Sequence, residues 1–112
     1  MVRAERLAKN SQFAAVFEKG RTLTHELIVL RAMPNGTERS RLGFVVSKKV
    51  GNAVVRNKVR RKLREIFRLL PLNSGWDVVV IARKKVAVSK YGGLESAVLR
   101  TLHRGGLLEE NI

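Results

Sequence analysis

Apolar side chains recur three or four positions apart between residues 52 and 70, and this spacing constrains the fold more than any other feature of the chain. At about 100° per residue, such side chains lie on one arc of a helix. The pattern therefore predicts a long helix over residues 52–70 with one buried face. The side chains on the buried arc are Val55, Val59, Leu63, Ile66, Phe67 and Leu70.

Both ends of this helix are marked in the sequence. Gly51 and Asn52 form a turn signal, and the Asn52 side chain can accept a hydrogen bond from a free N–H group of the first turn. Pro71 ends the helix because proline lacks an N–H group and disfavours helical geometry in the residue before it.

The opposite arc of the helix is cationic. Residues 56–68 contain five arginines and two lysines but a single acid, Glu65. A planar guanidinium suits paired hydrogen bonds to phosphate. A solvated surface helix usually alternates Glu and Lys for mutual support, and only Glu65 could serve here. The cationic arc is therefore predicted to bind a polyanion. Its residues are Asn57, Arg60, Arg61, Arg64 and Arg68.

Composition supports one domain with a localised charge excess. The 112 residues suffice for a modest core, and the absence of cysteine excludes disulfides and thiolate zinc sites. Of the net charge of +14, residues 39–68 carry +10. A localised basic patch most often indicates a nucleic-acid partner.

A membrane surface is the competing polyanion. No segment approaches the roughly 20 consecutive apolar residues of a membrane span, and the apolar face of the 52–70 helix suits packing on a sheet. The N-terminal sequence MVRAERLAKN lacks the apolar core of a secretion signal. We therefore expect a cytoplasmic protein without a membrane partner.

The remaining pattern predicts two further helices and several strands. A helix capped by Asn10 or Ser11 ends at Gly20 and displays Phe13, Val16 and Phe17 on one side, where two aromatics four positions apart are most often core. Strands are predicted within 21–33, 41–48 and 76–82. A closing helix from about Ser89 to His103 buries four apolar residues, and residues 107–112 are expected to fray. The four are Leu94, Val98, Leu99 and Leu102.

This order, α-β-β(-β)-α-β-α, predicts an α+β fold. We expect a two-layer sandwich in which a small mixed β-sheet carries three helices. The strand 41–48, the helix 52–70 and the strand 76–82 form a crossover unit. Such crossovers are right-handed in about 98% of cases.

No catalytic or metal-binding constellation is visible in the sequence. A nuclease acting alone would need clustered acids for metal ions or a histidine pair for acid–base catalysis. The acids are scattered, Asp77 suits a strand end, and His25 and His103 lie on different predicted elements. No nucleophile motif or phosphate-binding loop is present. The chain is therefore predicted to bind rather than to catalyse.

The run from Ser47 to Glu65, SKKVGNAVVRNKVRRKLRE, resembles the signature of the protein subunit of bacterial ribonuclease P. In that family an Arg-Asn pair is followed at fixed spacing by basic residues on a long helix. The family often has Lys-Arg where this chain has Arg60 and Arg61, which preserves the charge. The resemblance implies a single RNA-binding domain over residues 1–112 with a left-handed crossover.

The resemblance also implies function. In bacterial ribonuclease P the RNA subunit, with bound Mg²⁺, cleaves precursor tRNA to make its mature 5′ end, while the protein supports the RNA and holds the 5′ leader of the substrate. The partners expected from it are thus the catalytic RNA subunit and precursor tRNA. No cofactor is expected on this chain alone, and Mg²⁺ is expected in the RNA-containing holoenzyme.

Residue roles follow from the same resemblance. The basic helix would contact the RNA subunit or the cleavage site through Arg56, Asn57, Arg60, Arg61 and Arg64. A leader-binding cleft beside the first helix would stack on bases and pair with phosphates through Phe13, Phe17, Val46, Ser47, Lys48 and Lys49. Independently of the resemblance, the basic triplet that follows strand 76–82 is a further candidate for RNA contact, which a solvated strand end would explain equally well; it consists of Arg83, Lys84 and Lys85.

Two other functions remain open at the level of sequence. Basic α+β domains are common among ribosomal and other structural RNA-binding proteins. A DNA reader could instead place the 52–70 helix in a major groove. Such a reader would carry several base-reading polar side chains on that helix, and only Asn57 qualifies. DNA is therefore not expected as a partner.

Overall fold

A computed structural model describes residues 4–109, which form five strands, three α-helices and one short 3-10 helix. The strands are β1 (Glu5–Arg6), β2 (Arg21–Thr24), β3 (Ile28–Pro34), β4 (Arg41–Val45) and β5 (Trp76–Ala82). The helices are α1 (Asn10–Lys19), α2 (Ala53–Arg68) and α3 (Tyr91–Arg104), and the 3-10 helix spans Lys84–Val88.

The strands form one mixed sheet in the order β1-β4-β5-β3-β2. β1, β4 and β5 run parallel, whereas β3 pairs antiparallel with both β5 and β2. The neighbouring parallel strands β4 and β5 are joined by α2, which confirms the predicted crossover unit. Its left-handedness remains a prediction from the family resemblance.

Alternate side chains of the sheet point to two separate apolar clusters. Val78 and Val80 of β5 belong to the main core with α2 and α3, whereas Val79 and Ile81 pack towards α1 on the opposite face. The α+β class, the mixed sheet and the three helices are as predicted. α1 nevertheless adds a layer on the second face, so the two-layer description holds only for the side covered by α2 and α3.

The apolar face of α2 is buried as its periodicity predicts. Val55 and Leu70 are half-buried against the same core as the four buried side chains, which are Val59, Leu63, Ile66 and Phe67. Each fully buried large apolar side chain contributes about 1.5–3 kcal/mol. The Asn52 side chain accepts a hydrogen bond from the Val55 N–H at 3.0 Å, so the predicted cap is confirmed.

Three local predictions differ from the structure. α1 is capped by Lys9 rather than by Asn10 or Ser11, because the Gln12 side chain accepts the N–H groups of Ala8 and Lys9. β4 ends at Val45, since the chain turns from residue 47 onward. Leu99 is exposed, because α3 turns this side chain away from the core that holds its other predicted residues.

The prediction of a frayed tail is wrong for residues 107–109. Leu107 is only 1% exposed, and Leu108 forms a β-bridge with Leu72. The Asn73 N–H donates to the Leu107 carbonyl at 2.8 Å. Gly106, at φ 69°, reverses the chain after α3, so the following leucines reach the core. Residues 110–112 lie outside the described residues.

Candidate nucleic-acid interface

The exposed side of α2 carries a surface that we call the cationic face, formed by Arg56, Asn57, Arg60, Arg61 and Arg64. Arg61 and Arg64 are exposed, while Arg56 and Arg60 are half-buried. The one acid of this helix, Glu65, pairs with Arg68 at 3.0 Å. Within residues 4–109, no carboxylate pairs with an arginine of the cationic face. Like charges one helical turn apart repel, and an anionic partner would relieve that repulsion.

Arg60 is held in place at the edge of this face. Its Nη1 donates to the Asn57 Oδ1 at 3.1 Å, and its Nη2 lies 3.5 Å from the Val46 carbonyl. The guanidinium therefore bridges α2 and the turn that follows β4. An arginine with fewer accessible rotamers loses less entropy when it binds a phosphate.

A groove of about 770 Å³ separates α2 from α1 and the N-terminal segment. We call it the α1–α2 groove. It passes the edge of β4, where β1 has already ended. The side chains that give it its chemistry are Phe13, Phe44, Arg60, Arg64 and Arg68. The structure thus brings one predicted cleft residue, Phe13, to the same groove as two arginines of the cationic face.

The two phenylalanines of α1 differ in exposure. Phe13 is half-buried and packs on Gly43, where a Cβ atom would lie 2.6 Å from the aromatic ring. Phe17 is 42% exposed. Val16 is completely buried and anchors the helix to the sheet. Phe13 is therefore part of the packing as well as of the groove, whereas Phe17 presents its ring to solvent.

The predicted cleft residues 46–49 also differ in exposure. Val46 is 4% exposed and belongs to the main core, and only its carbonyl faces Arg60, at 3.5 Å from Nη2. Ser47, Lys48 and Lys49 are exposed on the turn after β4. The Val50 N–H closes this turn on the Ser47 carbonyl at 3.1 Å. Two lysines are thus displayed on a short, hydrogen-bonded turn.

The basic triplet after β5 has a partly structural role. Arg83 donates to the His25 carbonyl at 3.0 Å, and Lys85 lies 3.3 Å from Glu26. Both contacts fasten the turn between β2 and β3. Lys84 is exposed. The histidine belongs to the same turn, since its Nδ1 accepts the Leu27 N–H at 3.1 Å.

Asp77 is occupied by a structural ion pair. It is 3% exposed, and Arg41 donates to both of its carboxylate oxygens at 2.7 Å. Asn35 adds a hydrogen bond at 3.0 Å. The hydrogen bonds that Arg41 donates to Asp77 raise the pKa of Arg41. In the part of the chain that the structure describes, no three His, Asp or Glu side chains group closely enough to hold a metal ion.

Two residues next to the candidate site escaped the sequence reasoning. Gly43 allows Phe13 to lie against the sheet, and the only sequence signal was a glycine inside an apolar strand. Arg31 hydrogen-bonds the last turn of α1, and its signal was a single charge within the apolar strand β3. Neither signal indicates a partner by itself.

An α+β sandwich with a cationic helix face beside an aromatic-lined groove defines a nucleic-acid-binding domain. The family model described as Ribonuclease P matches residues 1–105. The chain belongs to the ribonuclease P protein family. Within residues 4–109, no helix is both long enough and apolar enough to cross a membrane.

Relatives and solved structures agree with this assignment. The chain is 42% identical over 110 residues to the ribonuclease P protein component of Dehalococcoides mccartyi strain CBDB1, covering 98% of this chain and 92% of the relative. The Staphylococcus aureus RNase P protein superposes with a TM-score of 0.87 at 30% identity, covering 96% of this chain and 100% of that one. The Thermotoga maritima RNase P protein gives 0.81 at 38% identity, covering 89% and 96%.

Family membership fixes the general role. The chain is an RNA-binding protein component of a ribonucleoprotein endoribonuclease that acts in tRNA processing, and its partner is an RNA subunit. This assignment favours ribonuclease P over the ribosomal and DNA-reading alternatives.

Proposed function

We propose that this chain binds the catalytic RNA subunit through the cationic face of α2 and holds the 5′ leader of precursor tRNA beside α1. In this way it supports Mg²⁺-dependent removal of the leader by the RNA. The observation that carries the proposal is the set of arginines on α2 that have no carboxylate partner within residues 4–109. The opposite side of the same helix is core, so its orientation is fixed.

The cationic face supports binding to a folded RNA. Arginines on successive helical turns present guanidinium groups that can each form paired hydrogen bonds with phosphate. Because α2 is anchored by its apolar side, these groups keep a fixed spacing. Asn57 adds an amide that can contact a base edge or a ribose. The RNA subunit, rather than a flexible single strand, matches such a rigid row.

The surroundings of α1 support binding to a single strand. The exposed ring of Phe17 can stack on a base, while Phe13 lines the α1–α2 groove with Arg60 and Arg64. Alternation of aromatic rings and cations is typical of sites for single-stranded nucleic acid. Ser47, Lys48 and Lys49 add donors for the leader backbone, and Val46 could contribute only its carbonyl. The triplet Arg83, Lys84 and Lys85 is a further candidate for phosphate contact, and exposed Lys84 suits it best because Arg83 and Lys85 already bond to the turn between β2 and β3.

The acids within residues 4–109 do not fit a Mg²⁺ site, because no three of them lie close enough together to hold a metal ion. Asp77, Glu5 and Glu26 are paired with Arg41, Arg39 and Lys85, and Glu65 is paired with Arg68. We therefore assign the metal ions of the holoenzyme to the RNA and no cofactor to this chain alone. On this proposal the protein contributes no catalytic group and works in the cytoplasm with its RNA.

The test is cleavage of precursor tRNA by the cognate RNA at low Mg²⁺, with and without this protein. We expect the protein to raise cleavage by the RNA and to cut nothing by itself. Cleavage by rigorously RNA-free protein that is lost in Asp77→Asn would contradict the proposal. Sedimentation of the protein with ribosomal subunits, rather than with one free RNA, would contradict it as well.

A further inference from the structure

Arg31 lies in the middle of β3, on the sheet face that α1 covers. Its neighbours two positions away, Val29 and Met33, share this face, and Met33 packs with the small apolar cluster under α1. A charged side chain is unusual there, because this position of the sheet is half-buried. Its guanidinium must therefore find acceptors nearby.

The acceptors are the carbonyl groups at the end of α1. Nη2 of Arg31 donates to the carbonyls of Phe17 at 2.6 Å and Gly20 at 2.9 Å, and lies 3.4 Å from that of Val16. The last carbonyls of a helix have no partner within the helix, and a cation there also complements the helix dipole. Arg31 thus joins the end of α1 to the centre of the sheet.

The same contacts leave Arg31 poorly suited to bind phosphate. Nη2 is occupied by carbonyl groups, Nη1 donates to the Thr22 hydroxyl at 2.8 Å, and Nε is enclosed without a hydrogen-bond partner within residues 4–109. A phosphate would have to displace bonds that the protein already makes. Arg31 therefore differs from Arg61 and Arg64, whose exposed guanidinium groups are accessible to RNA.

Apart from Val16, packing does little to hold the last turn of α1. Val16 is the one residue of this helix that is fully buried, and the Phe17 ring is 42% exposed. We propose that Arg31 is a positioning residue, which holds the backbone of Phe17 so that its ring is preorganised to stack on a leader base. This inference rests on the proposed function, in which Phe17 contacts the leader.

The experiment compares Arg31→Met, Phe17→Ala and the double variant, each assembled with the RNA subunit. Affinity is measured for precursor tRNA with its leader and for mature tRNA without one. Losing a stacked base corresponds to about 5–150-fold in affinity. We expect Arg31→Met to weaken leader-dependent binding by about 3–10-fold, which is less than the full loss of a stacked base, because the Phe17 ring is still present. Arg104→Met is the matched control, since Arg104 also donates to a backbone carbonyl, that of Thr24 at 2.7 Å, and forms no hydrogen bond with α1 within residues 4–109.

The double variant distinguishes positioning from direct contact. If Arg31 acts through Phe17, Arg31→Met should have little further effect once Phe17 is alanine. The slope of log affinity against log salt should also stay unchanged, because no phosphate contact is lost. An additive loss with a reduced salt slope would show that Arg31 binds a phosphate directly and would overturn the inference.

Two further outcomes separate this inference from the proposed function. If Phe17→Ala weakens leader-dependent binding and Arg31→Met does not, the inference fails and the proposed function stands. If Phe17→Ala has no leader-dependent effect, the leader role of α1 itself fails. Should Arg31→Met unfold the chain, Arg31→Lys retains a cation near the carbonyls and is expected to give intermediate leader affinity, with no effect in the Phe17→Ala background.

Discussion

The helices α1 and α2 lie on opposite faces of one sheet and are held there in different ways. α2 has 16 residues, four of them buried, and an N-cap formed by its own sequence. α1 has 10 residues, of which only Val16 is buried, and the carbonyl groups at its end accept hydrogen bonds from Arg31 of β3. The exposed face of α2 can therefore vary without loss of fold, whereas the position of α1 depends on residues elsewhere in the chain.

The largest expected effect concerns the buried side of α2. Leu63 is completely buried in the main core. Leu63→Ala should lower the free energy of unfolding by about 2–5 kcal/mol, because it removes a packed side chain and leaves a cavity. Urea unfolding measures the change. Arg61→Ala on the exposed side of the same helix is the control, and an equal loss in both variants would contradict the two-sided description of α2.

The next effect tests how α1 packs on the sheet. In Gly43→Ala, the new methyl group would lie 2.6 Å from the Phe13 ring, so the ring and α1 must shift. Overpacking of this kind costs about 1–3 kcal/mol of stability. The variant should also bind leader-containing precursor tRNA more weakly. Gly92→Ala is the control, since a Cβ atom there meets nothing within 4 Å. Unchanged stability in Gly43→Ala would show that the contact between Phe13 and Gly43 does not hold α1 on the sheet.

The third effect separates the two phenylalanines of α1. Phe17→Ala should cost about 1–3 kcal/mol in binding leader-containing precursor tRNA, with little change for mature tRNA. Its thermal stability should scarcely change, because the ring is exposed. Phe13→Ala should lose stability as well as leader affinity, since its ring packs on Gly43. Equal stability losses in the two variants would indicate that both rings are simply core.

The smallest energetic effect on the protein itself is expected on the cationic face. Replacing Arg61 or Arg64 with alanine should change stability by under about 0.5 kcal/mol. Each lost phosphate contact should reduce the slope of log affinity against log salt by about 0.7–0.9. Arg100→Ala, an exposed position on α3, is the control. Unchanged affinity and salt dependence in both variants would exclude this face as the RNA contact.

Sequence alone predicts α2 well because its signals are local. The apolar period, the Asn52 cap and Pro71 all lie within the helix or next to it. The support of α1 is non-local, since Arg31 lies 14 positions from Phe17 in sequence. The tail escaped prediction for the same reason, because Leu107 closes on Asn73 only after the fold has brought the two together. Likewise, the i,i+4 spacing of two phenylalanines cannot tell which ring is covered.

The ion pair between Arg41 and Asp77 also bears on how the sheet assembles. These residues are direct partners in the parallel ladder of β4 and β5, and their side chains bond to each other across it. A slip of one residue would turn Asp77 to the other face of the sheet, into the apolar core, without its arginine. The unpaired charge would penalise that mispaired sheet. The pair thus favours the native alignment of β4 and β5, and the position of α2 above the sheet follows from that alignment.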